Sequence, residues 1–330
     1  MNIRTYISPA AITACLIIVT GETWFWLNTD SLSGAPFFEP TADIGTVMAK
    51  HSMLSDAGGK VLLVGDSSCM MGLIPDIVST DPDGCLNLGT LSSFTLAGVE
   101  SIVAEAVCSD IPPRAIVVAV LPQTLDVSAE QAEEFGLVGP YLVAYGQSSK
   151  SYTPSISDWH KWIFRKHQFG RFPDQFGGKY SAFRKTLERS RGYFEESGHY
   201  TGTESPRDAV QMSEFSKKSV RAIADMCREH QIPLVFWLSP VPRDSVTDNY
   251  LAASQRMAQE LASEGNSLQA RDGSPAWDSA LFGSVTHLTH AGAELNSAEL
   301  AQYLIALNIT DFAVGDRPLR TPTVYATANQ

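Results

Sequence analysis

Short, wholly apolar runs alternate along this chain with longer stretches in which apolar positions recur at helical spacing. Val61 to Val64 and Ala115 to Leu121 are apolar throughout, the pattern of strands buried on both faces. Cys85 to Leu88, Ile232 to Leu238 and Ser267 to Ala270 read as further strands. Helical periodicity covers Leu96 to Val107, Ala209 to His230, Tyr250 to Leu261 and Leu295 to Leu307. In the second of these, Val220, Ile223, Ala224 and Cys227 share one face. A helix-compatible stretch from Met70 to Val78 follows the first strand. This alternation predicts an α/β fold, a flavodoxin-like doubly wound parallel sheet of about five strands. In such sheets ligands bind beyond the carboxyl ends of the strands.

Two stretches break the alternation. Ile7 to Leu27 is mostly apolar and about the length needed to cross a bilayer, although Gly21 and Glu22 interrupt it. Arg4 precedes it and Asp30, Glu39 and Asp43 follow, so the charge bias leaves the bulk of the chain outside the cytoplasm. An uncleaved transmembrane anchor fits better than a cleaved signal, because no Ala-x-Ala-like site follows at the usual distance. Residues 124–205 are too long for a simple connection. They concentrate aromatic and basic residues, among them Trp159, Trp162 and Arg165. Such a segment reads either as a cap whose aromatics form a satellite core or as a lid that stacks sugar rings and meets anions. The expected organisation is an anchor over 1–29, a lead-in over 30–58 and an α/β domain from 59–123 and 206–310. The cap inserts at 124–205, and a loose tail runs over 311–330.

Charge narrows the partners. With 24 basic and 36 acidic residues and a net charge of −12, the chain lacks the basic surface a nucleic-acid binder needs. Its 5 cysteines show no metal-like spacing, although an exported domain would allow a Cys85–Cys108 disulfide. The histidines lack the carboxylate or thiol companions of a metal site, and Gly58-Gly59-Lys60 lies on the wrong side of the strand for a phosphate loop. No cofactor is expected.

The candidate chemistry lies at two strand ends. Val61-Leu62-Leu63-Val64 runs into Gly65-Asp66-Ser67-Ser68, which lifts a serine onto a strand-to-helix turn. Far downstream, Thr286-His287-Leu288-Thr289-His290-Ala291-Gly292 presents a histidine just before a helix. A serine and a histidine at strand ends are the minimum parts of a nucleophilic acyl-transfer site.

Gly-Asp-Ser after the first strand, Asn87-Leu88-Gly89 after the second, and the late His-Leu-Thr-x-x-Gly resemble the SGNH (GDSL) hydrolase superfamily. The closer similarity is to its membrane-anchored branch, which O-acetylates alginate and other exopolysaccharides and includes the D-alanyl transfer protein of teichoic acids. VLLVGDSSCMMGL, CLNLGTLSS, PRAIVVAVLP, IPLVFWLSPVP and HLTHAGAEL carry that similarity. It implies a bacterial single-pass membrane protein whose periplasmic domain acts on a polysaccharide or acyl ester, alongside a membrane-bound acyltransferase partner. It further implies Ser67 as nucleophile and His287 as general base, with Asp66 holding the turn. The family's second-block glycine falls at Ser92, whose amide would serve the oxyanion hole. Its third-block asparagine is missing, and Gln123 is the residue at hand to replace it. The family's acid, three residues before the histidine, is replaced by Ser284. Asp278 or Asp272 could substitute from the same loop, Asp278 being the choice, or the site runs as a dyad. Two other readings stand beside a transferase or deacylase: a catalytically weak glycan- or partner-binding scaffold, and a generic GDSL esterase.

Overall fold

The computed structural model describes residues 42–155, 158, 177–202, 205–264 and 268–309. Strand β1 (Val61–Gly65) lies between β2 (Cys85–Asn87) and β3 (Ala115–Val120), in parallel with both. β3 pairs in turn with β4 (Leu234–Leu238), and a short parallel pair, β5 (Val241–Pro242) with β7 (Ala276–Trp277), follows it. β6 (Leu268–Ala270) completes the main sheet, whose order is β2-β1-β3-β4-β6 with every pairing parallel. The fold is therefore α/β around a parallel sheet.

The continuous apolar runs follow from that position. A strand sends alternate side chains to opposite faces, so a strand covered on both sides must be apolar at every residue. Leu62, Val64, Ile116, Val118 and Phe236 point into one core and Val61, Leu63, Val117, Val235 and Trp237 into the other. The first core is closed by the helices Thr95–Val107, Glu214–Glu229 and Asp248–Ser263, through Ile102, Ile223 and Met257 among others. The second is closed by the helices Ser67–Gly72 and His290–Ala306, which contribute Cys69, Leu300 and Leu304.

In chain order the helices are α1 (Ala42–Ser52), α2 (Ser67–Gly72), α3 (Pro75–Val78), α4 (Thr95–Val107), α5 (Pro122–Leu125) and α6 (Ala129–Phe135). They continue with α7 (Val138–Tyr145), α8 (Gly177–Arg189), α9 (Glu214–Glu229), α10 (Asp248–Ser263) and α11 (His290–Ala306). Three boundaries differ from the periodicity, each for a local reason. The stretch from Met70 to Val78 is split, because Pro75 cannot continue α2 and instead opens α3. α9 begins at Glu214 rather than Ala209, where the Ser213 side chain accepts from the Ser216 amide. α11 begins at His290 rather than Leu295, capped by Thr289, whose side chain accepts from the Gly292 amide.

The described parts of the 124–205 insertion pack onto this framework. Buried Glu100 of α4 accepts from the Ser149 hydroxyl and the Lys150 amide, mooring the segment after α7. Tyr152 and Tyr193 are buried, and Phe183 meets Phe194 edge-on at 5.5 Å, so these aromatics form core. Trp159, Trp162 and Arg165 lie outside the described residues, as does the apolar run from Ile7 to Leu27. Among the described residues no helix is long and apolar enough to cross a membrane. Cys85 and Cys108 are free thiols, the first buried and the second exposed.

Candidate active site

Ser67 is the first residue of α2, directly beyond the carboxyl end of β1. The turn that lifts it is held by Asp66, which is almost fully buried and receives four hydrogen bonds. Its Oδ1 accepts from the Ser68 amide at 2.8 Å and the Ser68 hydroxyl at 2.6 Å. Its Oδ2 accepts from the Leu121 amide at 2.9 Å and from the Thr124 hydroxyl. Asp66 thus caps the nucleophile helix and ties it to the end of β3. Ser68 points inward, and its Oγ, whose proton goes to Asp66, accepts from the Ser239 hydroxyl at the end of β4. With the Ser68, Cys69 and Met70 amides committed to Asp66, the Ser67 amide is the first-turn donor outside those bonds.

His287 sits in a tight loop in which Gly283 and Ser284 donate their amides to its carbonyl oxygen. Its Nε2 lies 2.9 Å from Ser67 Oγ. Its Nδ1 lies 3.1 Å from Glu196 Oε2 and 3.0 Å from Ser284 Oγ. A carboxylate only accepts, so the network assigns the ring proton to Nδ1 and leaves the Nε2 lone pair facing the Ser67 hydroxyl. This is the tautomer a general base needs. All three side chains of the relay are mostly shielded, with Ser67 at 7% exposure and the His287 and Glu196 side chains at 20% each. Charge interactions there are stronger than at an open surface.

The carboxylate beside His287 therefore differs from the sequence expectation. Asp278 is exposed, caps the single turn Ser279–Leu281 and accepts from the Ala280 amide at 2.9 Å. Asp272 is exposed as well. Glu196 takes the place expected of Asp278, and it comes from the exit of the insertion. It is delivered by an extended segment stitched to the framework at several points. Asn87 donates its amide to Arg191 O at 2.9 Å, Phe194 to Met70 O at 3.1 Å, and Tyr200 to Phe282 O at 3.2 Å. The only sequence signal was a carboxylate pair, Glu195-Glu196, set among the bases of the insertion. Nothing local connected that pair to a histidine 91 residues away.

The other expected residues are placed as follows. Ser92 stands exposed at the start of the turn Ser92–Phe94, beyond the Asn87–Thr90 loop that packs on the nucleophile turn. Gln123 is the second residue of α5, just past β3, and both its side-chain amide atoms are buried without a hydrogen-bond partner among the described residues. His290 is half-exposed at the start of α11, with Nδ1 3.3 Å from Tyr193 OH and Nε2 3.5 Å from Glu294. Of the two late histidines, it is His287 that faces the serine. Among the described residues no group of three or more His, Cys, Asp or Glu side chains could hold a metal ion. No protein-family model and no curated protein matches the chain.

Proposed function

We propose that this protein is a membrane-anchored, SGNH-type serine O-acyltransferase or deacylase acting on extracytoplasmic polysaccharide through a Ser67 acyl-enzyme. The observation that carries the reading is the continuous relay from Ser67 Oγ to His287 Nε2 at 2.9 Å and from His287 Nδ1 to Glu196 at 3.1 Å. Nucleophile, base and orienting acid are then all side chains of one chain.

In this reading Ser67 Oγ attacks the carbonyl of an acyl ester while its proton passes to His287 Nε2. Glu196 holds the ring and stabilises the imidazolium as it forms. The imidazolium returns the proton to the leaving alcohol, and a sugar hydroxyl or water, deprotonated by the same Nε2, resolves the acyl-enzyme. The Ser67 amide faces the developing oxyanion, and the unpaired Gln123 amide is a further donor for it. The scaffold alternative rested on Ser284 in the acid's place and on the missing third-block asparagine, and the carboxylate of Glu196 beside His287 removes the first of these motives. The export, the anchor and a membrane acyltransferase partner rest on the N-terminal apolar run and the family resemblance.

The test is hydrolysis of p-nitrophenyl acetate by the full-length chain in detergent, with Ser67→Ala and His287→Ala as controls. A burst or turnover lost in both variants supports the acyl-enzyme. Activity equal to both variants would sink it. Oligosaccharide acceptors added to an active enzyme then separate transfer from hydrolysis.

A further inference from the structure

Lys50, in α1, is fully buried, and among the described residues no carboxylate pairs with it. Its Nζ donates to two main-chain carbonyls, Asn87 O at 2.9 Å and Gly192 O. Burial lowers its ammonium to about 7, and the nearby Cys69 thiol opposes that shift only in part. Such a group is costly to bury, and its surroundings show what it holds together.

Asn87 is part of the framework that carries the nucleophile. Its side chain donates to Cys69 O at 2.9 Å and Leu73 O at 2.8 Å, gripping the middle and the C-terminal cap of α2. Gly192 belongs to the segment that carries the acid, four residues before Glu196. The two backbones touch so closely that a Cβ on Gly192, at φ +93°, would fall 1.7 Å from Asn87 O. Both carbonyl oxygens accept from the one lysine amine, which bonds the two backbones together at this joint.

We infer that Lys50 is a positioning residue, which sets Glu196 against His287 by clamping the Gly192 main chain to Asn87. The inference rests on Ser67, His287 and Glu196 working as a triad. It goes beyond that reading in joining α1, the helix that follows the N-terminal segment, to the acid side of the site. A displacement of roughly 1 Å at a catalytic group can cost on the order of 100-fold in rate.

The test is a double-mutant cycle in the full-length chain, read by p-nitrophenyl acetate kinetics and by the downfield Nδ1–H resonance of His287 in ¹⁵N-histidine-labelled protein. Lys50→Met should lower kcat by about 10- to 100-fold with KM within roughly twofold, and should broaden or abolish the resonance. In the Glu196→Gln background the same change should cost less than about twofold, because the group it positions is already disabled. An unchanged kcat in Lys50→Met overturns the inference, as does an equal loss in both backgrounds. If Lys50→Met does not fold, Lys50→Gln, which keeps one donor, goes through the same cycle with the same criteria. Should the wild type show no Ser67-dependent hydrolysis, the triad reading fails. The resonance then decides Lys50: retained in the variant it refutes the clamp, lost it upholds it.

Discussion

Ser67 and Glu196 reach His287 from opposite sides, and different kinds of structure hold them there. Ser67 stands on a strand-to-helix turn, two residues past a buried strand, and the carboxylate of the adjacent Asp66 locks that turn through four hydrogen bonds. Glu196 stands on a segment with no regular secondary structure, held by main-chain bonds to Asn87, Met70 and Phe282 and by the Lys50 clamp. The Ser67 side is set by a local turn motif whose Asp66 carboxylate is anchored to the end of β3 through Leu121 and Thr124. The acid side exists only once the insertion has docked on the finished sheet. In a relay of this kind the two sides make unequal demands. The serine supplies the reacting atom, whereas the acid fixes a tautomer and an orientation.

The largest effect that sharpens this comparison is kinetic. Ser67→Ala should reduce kcat for p-nitrophenyl acetate by about 10⁴-fold or more. Glu196→Gln should reduce it by about 10²- to 10⁴-fold, because the amide no longer enforces the Nδ1–H tautomer. Asp278→Asn, which touches only the Ala280 amide, should stay within about twofold. Steady-state rates of the three variants decide the matter. A loss in Asp278→Asn together with a silent Glu196→Gln would reverse the assignment of the acid.

The two sides also share a device, a glycine whose missing Cβ lets one backbone lie against another. At Gly65, with φ +147°, a Cβ would fall 1.8 Å from Ala119 O of the neighbouring strand. At Gly192 it would fall 1.7 Å from Asn87 O. Gly65→Ala strikes the centre of the sheet and should cost on the order of 4 kcal/mol or more, leaving little soluble protein. Gly192→Ala strikes only the docking of the insertion. It should leave a folded chain with a lowered Tm and a kcat depressed toward that of Glu196→Gln. Circular dichroism melts alongside kinetics would show the contrast, and equal unfolding in both would erase it.

The same division explains what the sequence made legible. The sheet was readable because β1 and β3 are apolar at every position and the nucleophile turn is a local motif. Boundaries moved where one residue outweighed periodicity, as Pro75, Ser213 and Thr289 did. His287 was legible from its place before α11. Glu196 was not, since its role depends on a fold-wide juxtaposition that no spacing encodes, and the search for an acid stayed within the histidine's own loop. Lys50 escaped for a related reason. Its stretch read as part of an irregular lead-in over 30–58, and only the tertiary structure shows the helix Ala42–Ser52 there and puts two carbonyls in front of its lysine.

Proton linkage tests the acid side from another direction. Lys50 titrates at 10.5 in an unfolded chain and near 7 in the folded one. Between those values the unfolded state binds more protons, so unfolding free energy should rise with pH across that window. Below about 7 both states are protonated and the burial cost is present in full. Urea unfolding of the wild type minus that of Lys50→Met should therefore climb by a few kcal/mol from pH 6.5 to pH 10.5. Burial is the larger cause that holds the Cys69 thiol above its ordinary range and acts in both proteins, and losing Lys50 only raises it further, so the folded thiol stays protonated across the window in both. A flat difference would mean that Lys50 is not the desolvated amine that sits between the two carbonyls.

The smallest effect concerns the nucleophile side, where Gln123 breaks the rule that buried polar groups are paired. Both atoms of its amide are buried with no partner among the described residues, at the end of the strand beside Ser67. An unpaired buried amide costs about 1–3 kcal/mol, so a chain selected only for stability would carry an apolar side chain of similar shape there. Gln123→Met should accordingly raise stability by about 1 kcal/mol, seen as a higher Tm or urea midpoint. If the amide is kept to meet a developing oxyanion, the same substitution should lower kcat by about 10- to 100-fold while leaving KM nearly unchanged. Opposite signs in stability and turnover would place Gln123 with Ser67 in the reacting site. A gain in stability with undiminished kcat would return it to the packing beneath α5, leaving backbone amides to carry the oxyanion.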